Sequence, residues 1–340
     1  MKPLLIAALL ICCAPAFAND TMSQLGTGGL QFITSQDVSM DSEDLSVGPD
    51  QVKVVYHFTN KGAEDQHALV AFPLPDITGD GDFMVALPEG EGDNIFGFRT
   101  TFDGEETPST LHQYAFAVNV DQTAILKSLD VPLEPFGDNT IAALNALSKD
   151  DQQKLMHLGM IIPMTYDAGN GEQTDWTPVW TLKSTYTWEA DFPAGKTVEV
   201  VHTYKPSVGG TVATTFLVPP YDATDEDRPK QYRAKYCTDD DFIKTVKKTL
   251  KDPGDLYSAP YFENWISYIW STGANWSGAI GKFHLTIDKG DPKNLVSFCW
   301  DGKVTKTGPT TFEMDATDWF PPYGRELEIL ILKHQDESQN

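Results

Sequence analysis

The sequence predicts a mainly β fold made of antiparallel β-sandwich units. Apolar and polar residues alternate along most of the chain, and turn sequences rich in Gly, Pro, Asn and Asp separate the alternating runs. Alternation that leaves one face polar is typical of antiparallel sheets packed as sandwiches. The strongest runs, in chain order, lie at residues 52–58, 68–72, 96–102, 180–192, 198–204, 283–287, 296–300 and 327–331.

The first two of these runs predict a β-hairpin. Residues 52–58 alternate, an Asn-Lys-Gly turn follows at 60–62, and the second run, at 68–72, is stopped by Pro73. Two runs separated by a short turn containing glycine are typical of a hairpin. We therefore expect the two runs to pair with each other in one sheet.

Helical spacing interrupts the strand pattern in the first half of the chain. It is found at residues 121–129, 139–147 and 148–158. Ser148, which is followed three residues later by an acidic residue, resembles the start of a capping box. Together these segments predict a helical insertion, at about 121–176, within the first β-sandwich unit.

Two further helices are expected in the second half. Residues 239–251 have helical spacing and end at a Pro-Gly stop signal. Residues 260–270 would place Tyr261, Trp265 and Tyr268 on one helical face, at i, i+4 and i+7. We expect this face to lie in the core, because three exposed rings in a row would form an apolar patch that soluble monomers rarely carry.

A segment rich in proline and charge, at 219–229, is the best candidate for a linker. It divides the chain into a β-sandwich unit at 19–220, which carries the helical insertion, and a second unit at 230–335. The second unit is smaller, and we expect it to be β-rich with one or two helices.

Residues 1–18 have the pattern of a secretory signal peptide. Lys2 provides a positive start, an apolar run follows, and small residues before position 19 form a cleavage site of the Ala-x-Ala kind. The apolar run is shorter than the roughly 20 residues that span a bilayer. We expect cleavage after Ala18 and export to the periplasm or the extracellular space.

Cys237 and Cys299 are the cysteines that remain after such cleavage. Two cysteines in an exported chain most simply form one disulfide, here within the second unit. Two buried free thiols or a redox pair are the alternatives, although neither cysteine lies in a Cys-x-x-Cys motif. Two cysteines alone do not make a zinc site.

The chain is strongly acidic, with a formal net charge of −24 at pH 7. This charge argues against nucleic acid as a partner, because binding to phosphates requires a basic surface. After the signal peptide, no apolar segment is long enough to be a transmembrane helix. An envelope protein or a glycan remains as the kind of partner to consider.

Sequence motifs do not indicate a reaction. Nucleophile elbow, Walker and His-Glu-x-x-His motifs are absent, and we assign no catalytic residue. Asp76, Asp80 and Asp82 lie close together among glycines, which suits calcium, a cation that prefers oxygen ligands. A solvated turn after Pro75 is the simpler interpretation, so we expect no cofactor, and a weak calcium site at this loop is the alternative.

The segment 257–276 is dense in aromatic residues. Trp265, Trp270 and Trp276 are candidates for binding, because exposed indole rings can stack on sugar rings. The competing interpretation is that the same rings fill the core of the second unit, where they bury a large apolar area. The helical spacing expected for 260–270 favours the core interpretation.

Five sequence blocks carry a family resemblance. They are LGTGGL at 25–30, MDSEDL at 40–45, AFPLPD at 71–76, HTYKPSVG at 202–209 and TGANWSG at 272–278. Together they resemble the bacterial domain of unknown function 4424 family over nearly the whole mature chain. The resemblance implies a signal peptide and export, and it implies no activity and no catalytic residues.

A weaker likeness concerns the first unit alone. Residues 54–75 and 192–200 look like the vault protein inter-alpha-trypsin domain, a β-sandwich of extracellular and structural proteins. The helical segment 121–176 would be an insertion in that domain. The likeness is an analogy about fold, and a fold does not carry a function with it.

These observations favour a non-enzymatic exported β-sandwich protein used for binding or for envelope structure. A hydrolase acting on an envelope or extracellular substrate is one alternative, and a glycan- or calcium-dependent binding protein is another. A His–carboxylate pair in a concave cleft would favour the hydrolase. A flat sheet face or an exposed row of aromatic rings would favour binding.

Overall fold

A computed structural model of the chain describes residues 19–26, 29–79, 84–86, 94–167, 169, 171–211, 213–219 and 227–335. The predicted signal peptide at 1–18 and most of the predicted linker, at 220–226, lie outside the described residues. The strands are, in chain order, β1 (Thr21–Gly26), β2 (Gly29–Ile33), β3 (Val38–Val47), β4 (Val52–Asn60), β5 (Gln66–Pro73), β6 (Ile77–Thr78), β7 (Met84–Ala86), β8 (Arg99–Phe102), β9 (Glu105–Thr107), β10 (Thr110–Ala117), β11 (Val120–Asp121), β12 (Ile161–Asp167), β13 (Glu172–Pro178), β14 (Thr181–Phe192), β15 (Thr197–Tyr204), β16 (Val208–Thr211), β17 (Tyr261–Tyr268), β18 (Ile280–Asp288), β19 (Leu295–Phe298), β20 (Thr305–Lys306), β21 (Thr311–Trp319) and β22 (Leu327–His334).

The α-helices of the described residues are α1 (Thr123–Ser128), α2 (Asp138–Ala146), α3 (Lys149–His157), α4 (Arg228–Tyr236) and α5 (Asp240–Lys247), and a 3-10 turn spans Ser271–Asn275. The chain is thus mainly β, which confirms the predicted fold class.

Three sheets form the body of the molecule. The order of the eight-stranded sheet is β20-β21-β18-β3-β4-β15-β8-β9, and that of the five-stranded sheet is β19-β22-β17-β16-β7. A seven-stranded sheet has the order β11-β10-β14-β5-β1-β2, with β6 paired to β14. One hydrophobic cluster contains inward-facing residues of all three sheets, among them Tyr56, Phe72 and Ile329. The sheets therefore pack face to face around a shared core, as in a sandwich.

The hairpin predicted for residues 52–72 is wrong. Strand β4 pairs with β3 and β15 in the eight-stranded sheet, whereas β5 pairs with β1 and β14 in the seven-stranded sheet. The connection at 61–65 therefore crosses from one sheet to the other. A hairpin and a crossing between packed sheets both leave the period-two alternation of apolar and polar residues intact. The pattern alone therefore does not distinguish them.

The strands on either side of the predicted linker share the same sheets. Strand β18, from the second half, lies parallel to β3, from the first half, with Lys282 opposite Ser42 and Ile287 opposite Val47. Strand β16, before the linker, pairs with β17, after it. The division into units at 19–220 and 230–335 therefore separates neither the sheets nor the main core.

The helix predicted for residues 260–270 is wrong, because this segment forms strand β17. It lies antiparallel to β22, with Trp265 opposite Leu330 and Tyr268 opposite Leu327. The spacing of Tyr261 and Trp265 fits a strand as well as a helix, because four residues are an even number of strand positions. Tyr268 consequently faces the main core, whereas Tyr261 and Trp265 belong to a second cluster on the opposite face of the sheet.

The insertion predicted at 121–176 is only partly helical. Helices α1, α2 and α3 occupy its first part, but β12 and β13 form an antiparallel hairpin in the second part. Gly159 ends α3 in the left-handed region, with φ of 70°, and the Met160 N–H donates to the Leu155 carbonyl at 3.0 Å. This is the usual way in which a glycine closes a helix. The insertion packs against Ala115, Ala117 and Trp180 in a separate hydrophobic cluster that includes its own Leu126 and Leu144.

Helix α4 was not predicted, because its first residues lie at the end of the linker candidate. Asp227 caps it, since its side chain accepts a hydrogen bond from the Lys230 N–H, and Pro229 lies in the first turn. Both features start helices. Helices α4 and α5 cover the outer face of the five-stranded sheet, where Tyr232, Tyr236 and Val246 meet Leu330 and Leu332.

Candidate functional site

An aromatic pocket at the junction of two sheets is the best candidate for a ligand site. Trp270 follows β17, Trp300 follows β19 and Trp319 ends β21, and all three line the pocket. Strands β17 and β19 belong to the five-stranded sheet, and β21 belongs to the eight-stranded sheet. The fold therefore gathers one indole from each of three strand ends.

The rings of the aromatic pocket are held against one another and against Phe283 of β18. Phe283 stacks on Trp319, with ring centroids 4.1 Å apart and planes inclined by 16°. Trp270 meets Trp319 edge-on at 5.3 Å, and Trp300 lies 5.9 Å from Trp319. Trp270 is buried, whereas Trp300 and Trp319 are partly exposed. Packing thus sets the ring orientations in advance, which lowers the entropy cost of binding.

Charged side chains line the same pocket, whose volume is about 90 Å³. Arg325 Nη2 donates to Asp301 Oδ2 at 2.8 Å, and the Asp301 side chain is 81% exposed. Asp315 pairs with Nδ1 of His284 at 2.8 Å. Ring faces beside carboxylates and a guanidinium suit a ligand that has an apolar face and polar edges.

Two buried N–H donors of the aromatic pocket have no acceptor within the part of the chain that the structure describes. They are Nε1 of Trp300 and Nε of Arg325. Buried donors without a partner are uncommon and costly. An oxygen atom of a ligand or an ordered water would satisfy them, which is a second reason to regard the pocket as a binding site.

The disulfide expected from the sequence is present and lies beside the pocket. Cys237, at the end of α4, is bonded to Cys299, with the Cα atoms 5.1 Å apart. Cys299 immediately precedes Trp300 and itself lines the pocket. The cross-link therefore ties the pocket wall formed by Cys299 and Trp300 to helix α4.

Of the three tryptophans proposed from the sequence, the structure places only Trp270 in the pocket. Trp265 lies on the opposite face of the five-stranded sheet, above Gly209 and 6.5 Å from the Tyr232 ring. Trp276 is buried in the main core, with its ring 4.3 Å from Phe58. Trp300 and Trp319 were not proposed. Each lies at a strand end next to a turn sequence, which is the one signal the sequence offers.

The calcium candidates do not form a described site. Asp80 and Asp82 lie outside the described residues. Asp76 forms an ion pair with Lys183, whose Nζ is 2.8 Å from Oδ2. Within the described ranges, the structure contains no group of three or more His, Cys, Asp or Glu side chains placed to hold a metal ion.

A second notable cluster is polar and lies in the closed interior, between the sheets. Asp20 and His202 are fully buried, and Nε2 of His202 lies 3.0 Å from Oδ2 of Asp20. The other ring nitrogen of His202 is 3.1 Å from the Thr100 hydroxyl. Burial raises the pKa of Asp20, and the neighbouring His202 opposes that rise. A pair enclosed in this way has no access to a substrate.

Glu43 belongs to the same buried polar cluster. Its Oε2 accepts a hydrogen bond from Asn19 Nδ2 at 3.0 Å, and the Tyr268 hydroxyl donates to Oε1 at 3.4 Å. Tyr56 donates to Asn19 Oδ1 and lies 3.0 Å from the Tyr268 hydroxyl. Burial raises the pKa of Glu43 to about 8.

A β-bulge directs Glu43 into the core. The register of β3 against β4 shifts between Met40 and Ser42, so Asp41 is an extra residue in β3. Val38 and Met40 face inward before the bulge, and Glu43 and Leu45 face inward after it. One inserted residue reverses the faces of a strand. The inward position of Glu43 is therefore a property of the backbone.

Several histidine–carboxylate pairs lie on outward sheet faces. Ser42, His57 and Glu199 are neighbours on three adjacent strands, with 3.0 Å from the Ser42 hydroxyl to Nδ1 and 3.5 Å from Nε2 to Glu199. The side chains of His57 and Glu199 are nearly half exposed. The backbone N–H groups of β4 beside them are used by the strand ladder, so they do not provide an oxyanion hole. The exposed position of this pair on a sheet face does not favour a hydrolase.

Within the described residues, no helix is long and apolar enough to cross a membrane. Comparison with family models shows that residues 18–330 match the model described as "Domain of unknown function (DUF4424)". No curated protein matches the chain. The weaker likeness to the vault protein inter-alpha-trypsin domain is not shown by these comparisons.

Among solved structures, the chain is similar to one from Legionella pneumophila subsp. pneumophila str. Philadelphia 1, called a "putative nutrient binding protein". The TM-score is 0.45 and the sequence identity is 12%, over 93% of this chain and 70% of that chain. A likeness of this size transfers neither the fold nor the function of that protein.

Proposed function

The chain belongs to the DUF4424 family, and from that premise we propose that it is an exported, non-enzymatic binding protein whose ligand site is the aromatic pocket. The observation that carries the proposal is the gathering of Trp270, Trp300 and Trp319 around a partly open pocket with Asp301 and Arg325 at its edge.

A saccharide is the ligand class that we propose for the aromatic pocket. The C–H face of a sugar ring is apolar and packs on an indole, while its hydroxyl groups donate to carboxylates and accept from N–H donors. Trp319 offers a partly exposed ring, Asp301 offers exposed acceptor oxygens, and Arg325 offers donors. A volume of about 90 Å³ suits one edge of a sugar ring, with the rest of the glycan lying outside.

The hydrolase alternative has less support. The closest histidine–carboxylate pair in the interior, His202 with Asp20, is fully buried. Among the exposed pairs, His57 with Glu199 lies outside the aromatic pocket, and of His284 with Asp315 only the carboxylate lines it. General acid–base catalysis requires contact with a bound substrate, which none of these positions favours.

The test combines a glycan microarray with titration calorimetry on the best glycan of the array. We expect Trp319→Ala to weaken binding at least tenfold, because the substitution removes the exposed stacking surface. Tyr257→Ala is the matched control, since this ring is 53% exposed and lies outside the pocket. Unchanged affinity in Trp319→Ala, or an array without any bound glycan, would contradict the proposal. Thermal melting of both variants checks that each is folded.

A further inference from the structure

The first residue after the predicted cleavage site lies in the interior of the protein. Chain termini are usually exposed, but Asn19 and Asp20 are fully buried. The Thr272 hydroxyl donates to the Asn19 carbonyl, and Trp276 Nε1 donates to the Asp20 carbonyl at 2.6 Å. A Cβ atom on Gly273 would lie 2.7 Å from Asn19 Nδ2, so glycine leaves room for this side chain. Position 19 is therefore built into the fold.

The core around position 19 contains more acidic than basic side chains. Asp20 has a basic partner in His202, at 3.0 Å. Glu43 receives hydrogen bonds from Asn19 and Tyr268, which are both neutral. Burial raises the pKa of Glu43 to about 8, so its carboxyl group keeps its proton at neutral pH unless a cation lies beside it.

We propose that cleavage of the Ala18–Asn19 peptide bond supplies this cation, and that the new α-ammonium group of Asn19 forms a buried ion pair with Glu43. A protease of the signal-peptidase class adds one water molecule across the bond. The C–N bond breaks, Ala18 leaves with a carboxylate, and the nitrogen stays on Asn19 and takes up a proton.

The covalent geometry of Asn19 places the new charge close to its partner. The backbone nitrogen is four bonds from Nδ2, so the two atoms lie within roughly 5 Å of each other. Asn19 Nδ2 itself is 3.0 Å from Oε2 of Glu43. The new nitrogen therefore lies no more than roughly 8 Å from Oε2 of Glu43, and opposite charges within this range in a dry interior attract each other strongly.

The ion pair also balances the charge of the buried polar cluster. The titratable groups that interact with Glu43 are Asp20 of the N-terminal segment, Tyr56 of β4 and Tyr268 of β17. From β15, Tyr204 interacts with Tyr268, and His202 lies beside Tyr56 and Asp20. Burial raises the pKa of each of the three tyrosines, so they stay neutral. With the ammonium group in place, Glu43 and Asp20 each have one basic partner. The ion pair rests on the proposed export of the chain and does not involve the aromatic pocket.

The first experiment measures the accessibility of the α-amine in the native protein. Intact mass should show a chain that begins at Asn19. Reductive methylation at neutral pH should then modify the α-amine at least tenfold more slowly in the folded state than in urea. Lys61, whose side chain is 62% exposed, is the internal control and should react at a similar rate in both states. A different N-terminus, or an α-amine that reacts as fast as Lys61, would overturn the proposal.

The second experiment separates the ion pair from a general effect of chain length. A chain that begins at Asn19 is compared with one that keeps Ala18, which moves the ammonium group one residue away. The retained residue should lower the melting temperature by several degrees, and this shift should largely disappear in Glu43→Gln, which has no charge to pair. An equal shift in both backgrounds would refute the ion pair. If Glu43→Gln does not fold, the labelling rate of the wild-type chain decides alone.

Discussion

The residues directly after the predicted signal peptide illustrate how tertiary structure changes the meaning of a sequence. Asn19 and Asp20 are polar and follow a predicted signal peptide, a context in which exposed residues are the norm. In the structure both are fully buried, and Asp20 faces His202 across the core. Burial of this kind depends on partners from distant strands, so no local pattern predicts it.

Removing one partner of the buried pair should destabilise the protein strongly. Asp20→Ala leaves His202 in the interior without its carboxylate, and breaking a buried pair in this way typically costs about 3–5 kcal/mol. Urea denaturation of a chain that begins at Asn19 measures the loss. Asp191→Ala is the matched control, because it removes the partner of His67 in an exposed pair and should hardly change the midpoint. Equal midpoints for Asp20→Ala and wild type would contradict a stabilising role.

The raised pKa of Glu43 predicts how the stability of a chain that keeps Ala18 depends on pH. In the folded state its pKa is about 8, compared with 4.5 ordinarily, so the unfolded state loses this proton first as pH rises. The contribution of Glu43 to the free energy of unfolding should therefore be largest below about pH 4.5, fall between pH 4.5 and 8, and level off above. Glu43→Gln should lack this decline. Urea midpoints at pH 5 and pH 8 are measured for the chain that keeps Ala18 and for its Glu43→Gln variant. An equal change of midpoint in the two proteins would rule Glu43 out as the cause.

At the scale of secondary structure, most alternating runs of the sequence are strands, but their partners were not predictable. The runs that became β4 and β5 lie in different sheets, because a crossing between sheets preserves the alternation of a hairpin. In β17, the spacing of the aromatic residues fits both the helical and the strand period, and the sequence prediction chose the helical period. The aromatic pocket was missed for a related reason. Its indoles come from three strand ends that are distant in sequence and meet only through the packing of two sheets.

Helix α3 permits a direct test of a prediction made from local sequence. The Ser148 side chain accepts a hydrogen bond from the Asp151 N–H at 3.2 Å, and its hydroxyl donates to the Asp151 carboxylate at 2.6 Å. Ser148→Ala should cost about 1 kcal/mol, the usual value for the loss of an N-cap. Ser128→Ala, at the end of α1, is the control and should cost less, because that hydroxyl donates only to the carbonyl of Ile125. Chemical denaturation of both variants measures the difference.

Strands from the two sides of the predicted linker pair with each other and hold the whole molecule together. Strand β18 is hydrogen-bonded to β3 and to β21, and β16 is hydrogen-bonded to β17. The main core likewise contains residues from both halves, such as Val54 and Leu285. The composition of the linker suggests two units because a segment rich in proline and charge resembles a domain boundary, whether or not the flanking strands share a sheet.

Neither half of the chain should fold alone. A fragment of residues 19–219 exposes the edge of β3 that β18 covers, and a fragment of residues 227–335 lacks the opposing half of the main core. We expect each fragment to aggregate or to lack a cooperative thermal transition. The control is the intact protein cut by a site-specific protease between residues 219 and 227, whose two pieces should stay together in gel filtration. Cooperative unfolding of either isolated fragment would contradict this expectation.

The parallel pairing of β3 with β18 also sets the order in which the chain can reach its native state. Residues 42 and 282 are direct neighbours in the sheet, and at 5–20 residues per second roughly 10–50 s of synthesis separate them. Throughout this interval β3 has an open edge, and such edges attract other strands. Contacts so distant in sequence also make folding slow. We therefore expect the chain to be prone to aggregation until its C-terminal strands are available.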